Sequence, residues 1–70
     1  MDLEIRDDFI KLGQALKLAG IAASGVEAKE MIEEGIVLVN GEVETRRGRK
    51  LREGDEVLAE GNSFIVRTSM

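Results

Sequence analysis

At Gly35 the hydrophobic period of this chain changes from that of a helix to that of a strand. That change restricts the chain to folds that join a helical half to a sheet half. Before it, Ala28, Met31 and Ile32 fall on one helical face while Glu30, Glu33 and Glu34 lie off it. After it, Ile36-Val37-Leu38-Val39 is a β-branched-rich run leading into Asn40-Gly41. Asn-Gly is the strongest short-range hairpin signal, because both positions tolerate positive φ. Glu42-Val43-Glu44 then reads as the return strand.

The helix that ends at Gly35 has a clear start. Ser24-Gly25-Val26-Glu27 has the form of a capping box, with Ser at N-cap and Glu three residues on. An earlier helix is predicted from about Leu12 to Ala19, where Leu12, Ala15, Leu16 and Ala19 recur at helical spacing and Gly20 supplies a left-handed cap. The two form an αα-hairpin. Leu3 and Ile5, alternating with Glu4 and Arg6, suggest a short first strand, and Asp7-Asp8 a turn. Two more strands follow the basic segment, Glu56–Ala59 and Phe64–Arg67, each preceded by a glycine-containing turn. The expected fold class is α+β, an αα-hairpin packed on a small, mostly antiparallel sheet, with residues 1–70 as one domain.

Composition narrows the chemistry. The chain has no cysteine and no histidine, so disulfides, the usual zinc ligands and the commonest general base are all missing. Met1-Asp2-Leu3-Glu4 starts acidic, and no apolar run approaches membrane-spanning length. The expectation is a cytoplasmic domain without membrane partners. Asp7-Asp8 and the Glu53/Asp55 pair lack the ligand count of a calcium loop, and there is no Walker-type loop and no Ser-His or Cys-His pair. The chain reads as non-enzymatic, with no cofactor and no metal.

Charge is distributed unevenly. The formal net charge is −4, yet Thr45–Arg52 holds five of the ten Lys and Arg and no acid. Within it Arg46, Arg47, Arg49 and Lys50 surround Gly48, which allows the backbone to turn and approach a ligand. Arginine forks fit phosphate oxygens bidentately and Lys50 adds a point charge. A solvated charge run that keeps the domain soluble is the competing reading. The start of the second helix is another anion candidate, since its amides and dipole favour negative charge and Gly25 leaves the approach open. There Ser24 either caps alone or also orders the site, and Lys29 either meets the anion or pairs with Glu33. Lys17 and Gln14, three residues apart on the first helix, offer a polar edge beside it or an ordinary exposed face. Lys11 and Arg6 carry no specific signal.

Phe9 and Phe64 are the only aromatics, and both stand in apolar contexts that suggest core. Single-strand binders stack bases on exposed aromatics. Without such a platform, nucleic-acid binding would work through phosphates and shape, which points to structured RNA.

The order and spacing of these pieces resemble the S4-like RNA-binding domain family. The carriers are the helix pair, the Ser cap, the Val-x-Val-Asn-Gly hairpin at Val37–Gly41 and the later Gly-Asp-x-Val turn at Gly54–Val57. More narrowly, Leu12–Leu18, Ser24-Gly25-x-x-Ala28-Lys29, Val37–Glu42 and Arg46–Leu51 look like the short stand-alone YaaA/YbcJ-type members. The resemblance runs from about Ile10 to Val66. It implies the fold around an αL-type RNA-binding motif, and a surface made of the second helix's N-terminal region and the basic loop. Larger S4-like domains usually carry arginine directly after the Ser; here that position is Gly25, which shifts weight onto Lys29 and the Arg46–Lys50 loop. The implied partner is structured RNA, ribosomal RNA or a ribosomal subunit, with no DNA specificity. The alternative is a protein-interaction module whose basic loop meets an acidic partner, a reading that the acidic pI of about 4.8 supports.

Overall fold

The computed structural model describes residues 1–69. Its elements are β1 (Asp2–Ile5), β2 (Ile10–Lys11), α1 (Leu12–Leu18), α2 (Gly25–Glu33), β3 (Val37–Val39), β4 (Glu42–Val43), β5 (Lys50–Leu51), β6 (Glu56–Ala59) and β7 (Asn62–Thr68). The predicted α+β class is what forms. Five strands make one sheet in the order β1-β7-β6-β3-β4, and its pairings are antiparallel except β1 with β7. β2 and β5 form a separate two-stranded ladder.

Local rules account for most boundaries. Both helices end in a glycine with φ +79°, Gly20 and Gly35, where a Cβ would be strained. Asn40 at φ 52° and Gly41 at φ 85° turn β3 into β4. The Asn40 side chain also reaches the next hairpin: its Nδ2 donates to Asp55 Oδ1 (3.0 Å) and its Oδ1 accepts from the Glu56 amide (2.9 Å). Asp55 in turn accepts from the Arg52 amide at 2.8 Å, and Glu53 accepts from the Thr68 amide and from Arg67. These turn acids tie loops to strands.

The core is continuous. Leu12, Ala15 and Leu16 of α1 and Ala28, Met31 and Ile32 of α2 pack with Val37, Val39, Val57, Phe64 and Val66 of the sheet. Leu3 and Ile5 join from β1 and Leu51 from β5. Phe64 is fully buried as expected, whereas Phe9 is only half-buried. Phe9 precedes the β2–β5 ladder, and this placement puts its ring against the basic segment instead of in the core.

Candidate functional site

α1 opens on Lys11, which makes no side-chain cap. The orphan amides of its first turn go to the basic loop instead: Leu12 N–H donates to Arg49 O (2.8 Å) and Gly13 N–H to Arg47 O (3.0 Å). β2 pairs with β5 through Ile10 opposite Leu51 and Lys11 opposite Lys50. The loop is therefore fastened along the start of α1. A turn closed by Arg49 N–H to Arg46 O (3.1 Å) presents Arg47 and Gly48 at its tip. Gly48 is not in the left-handed region, so its conformation does not demand glycine; a Cβ there would meet open space. Lys50 lies in a strand, not in the loop proper.

Glu44 organises the loop from below. It is the one buried charged residue among those described, with 6% exposure. Its carboxylate accepts from Arg46 Nε (2.9 Å), Arg46 Nη2 (3.0 Å), Arg49 Nη1 (2.9 Å) and the Arg46 amide (3.1 Å). The hydrogen bonds from Arg46 and then Arg49 hold its pKa down at about 2, against the opposing effect of burial. The Arg46 pKa is correspondingly raised. The Arg46 side chain remains 73% exposed and that of Arg49 34%. Both arginines thus build the loop, with part of each fork open to solvent.

A groove of about 380 Å³ lies where this loop faces the two helices. Gln14 and Lys17 line it from α1, Gly25 from the start of α2, and Arg47 with Gly48 from the loop. Lys11 and Gly13 complete the lining. The wall thus carries three exposed cations, Lys11, Lys17 and Arg47, and no acid. Such a surface is chemically suited to an anion, and the open space around a Gly25 Cβ lets a ligand approach the helix start.

Four residues singled out from the sequence, Gln14, Lys17, Gly25 and Arg47, therefore converge. Ser24 Oγ accepts from the Glu27 amide (3.2 Å), while Glu27 Oε1 accepts from the Ala23 amide (3.2 Å), so the serine caps α2. Lys29 is exposed, forms no ion pair with Glu33 among the described residues, and lies outside the groove lining. Lys50 Nζ sits 4.8 Å from the centroid of Phe9, and Arg52 Cζ at 5.6 Å. Sequence reasoning missed Lys11, Glu44 and Phe9. Lys11, Gln14 and Lys17 recur every third residue, a stripe that could have revealed the first. Nothing local separates Glu44 from the exposed Glu42.

No helix of the described residues is long and apolar enough to cross a membrane. The family model of the S4 domain matches residues 3–67. A Bacillus subtilis (strain 168) protein named "Probable ribosome maturation protein RlbA" is 51% identical over 65 residues, covering 91% of this chain and 92% of its own. An Escherichia coli (strain K12) protein named "Putative RNA-binding protein YbcJ" is 44% identical over 57 residues, 81% of each chain.

Proposed function

Because the chain belongs to the S4 domain family, we propose that it is a non-enzymatic module that binds structured RNA through backbone phosphates held in the cationic groove. Ribosomal RNA or an assembling ribosomal subunit is the proposed target, supported by the ribosome maturation named for the Bacillus relative. The observation that carries the reading is the convergence of Lys11, Lys17 and Arg47 on one acid-free groove in a chain of net charge −4. Lys50 and the open edges of Arg46 and Arg49 extend that positive surface. Lys29 and Ser24 contribute less, the first from outside the groove and the second by ordering the helix end.

The mechanism is electrostatic. Each phosphate neutralised releases condensed counterions, so affinity falls with salt. Contacts from Lys11, Lys17, Arg47 and Lys50 give a log–log slope of about −3 to −4. Substituting Arg46 together with Arg47 is a confounded test, because Arg46 also holds Glu44. Lys17→Ala with Arg47→Ala is cleaner, since neither side chain makes an ion pair among the described residues. That double variant should melt like the wild type and lower affinity for a ribosomal RNA hairpin in a filter-binding titration by about tenfold or more, with a slope shallower by about 2. Unchanged affinity and slope in the folded variant would overturn the groove as the binding surface.

A further inference from the structure

A second depression, of about 690 Å³, adjoins the cationic groove and shares Gln14 and Lys17 with it. Ile5, Phe9, Ile10 and Leu18 give it an apolar lining, and Glu4, Arg6 and Asp7 a polar one. Its size falls within the roughly 300–1,000 Å³ of pockets that hold small organic groups. Leu18 stands 61% exposed at this pocket, an apolar surface that the fold leaves in water. The Phe9 ring is overlaid by Lys50 and Arg52, so the pocket is joined to the positive surface on the strand side as well as through Lys17.

We infer that this pocket receives one unstacked nucleobase of the RNA whose phosphates lie in the adjoining groove. The inference rests on the RNA-binding reading above and adds to it a preference for RNA with an unpaired nucleotide. A strand held at Lys17 has its next base within reach of the pocket, because the same residue lines both. Apolar contact with Phe9, Ile10 and Leu18 needs no particular base, and the Gln14 amide and Asp7 carboxylate offer a donor and acceptors for whatever edge the base presents. The flanking cations keep phosphates on either side of the base neutralised.

The test uses the full chain and three labelled RNA duplexes of one sequence: fully paired, with a single-nucleotide bulge, and with the same bulge made abasic. Fluorescence anisotropy should show the bulged RNA bound about tenfold more tightly than the other two. Phe9→Leu should bring the bulged and paired RNAs to equal affinity. Equal wild-type affinity for the bulged and abasic RNAs overturns the inference without recourse to any variant, as does a folded Phe9→Leu protein that keeps the preference. Adenosine monophosphate displacing the bulged RNA at concentrations comparable to the RNA itself also overturns it, by making the pocket a free-nucleotide site. If Lys17→Ala with Arg47→Ala binds all three RNAs like the wild type, the phosphate groove fails and the base subsite fails with it. A loss on all three with the bulge preference intact supports both.

Discussion

The carboxylate of Glu44 accepts from two guanidinium groups and one backbone amide, so the loop's geometry depends on its staying ionised. With its pKa lowered from 4.5 to about 2, its stabilising effect is complete above about pH 4.5 and is lost as pH falls toward 2. Glu53, also lowered by its bonds to Thr68 and Arg67, contributes in the same direction. Thermal melts of Glu44→Gln should show a loss of about 1–2 kcal/mol at pH 7, between exposed and buried pairs, and a shallower but not flat acid limb. A variant as stable as the wild type at pH 7 would show that the loop holds itself. Gly25 offers the reverse experiment, a gain. Its Cβ direction is open and its backbone is outside the left-handed region, so Gly25→Arg fits without strain and adds a cation at the helix start that lines the groove. Affinity for a ribosomal RNA hairpin should rise several-fold, and the salt slope should steepen by about 1. Gly25 and Ser24 were legible because capping is a short-range rule. Glu44 was not, because its burial is decided by where the following turn folds back.

At the scale of elements, each helix start is satisfied by a different device. α2 carries its own cap, and Ser24→Ala should lower stability by about 1 kcal/mol in a denaturant titration. RNA affinity should stay within twofold, since Ser24 does not line the groove and its oxygen accepts from the Glu27 amide; a larger loss would assign the serine to the binding surface. α1 borrows carbonyls from the basic loop, so a weak N-cap such as Lys11 is tolerated. This couples the loop to the helix that supplies Gln14 and Lys17. Hydrogen exchange should therefore show the Leu12 and Gly13 amides protected in the wild type and faster in Glu44→Gln, with the Ala28 amide of α2 unchanged. Equal rates in both proteins would separate loop order from helix order. The αα-hairpin and the Asn40-Gly41 turn could be read from period and turn chemistry. The β2–β5 ladder could not, because two-residue strands have no period and their partners lie far apart along the chain, Ile10 opposite Leu51 and Lys11 opposite Lys50. Phe9 was misplaced for the same reason.

Across the whole molecule, the positive groove is one feature on an otherwise acidic body, and that contrast sets how binding responds to salt. Glu33 and Glu34 are exposed at the C-terminal end of α2, whose first residue lines the groove. At about 1.5 Å per residue, Glu33 and Glu34 lie roughly 12 and 13 Å along the axis from Gly25. Both distances exceed the screening length of about 10 Å at 0.1 M salt but not the 30 Å at 0.01 M. These acids therefore repel an approaching nucleic acid at low salt without touching it once bound. Replacing both by glutamine should raise affinity for any paired RNA several-fold at 10 mM salt and leave it within twofold at 150 mM, measured by anisotropy at both. The variant should fold at least as well, because removing negative charge near a helix C-terminus favours the dipole. An equal gain at both salts would mean that the acids lie at the RNA contact itself, and the bound strand would then have to run along α2 instead of crossing its start.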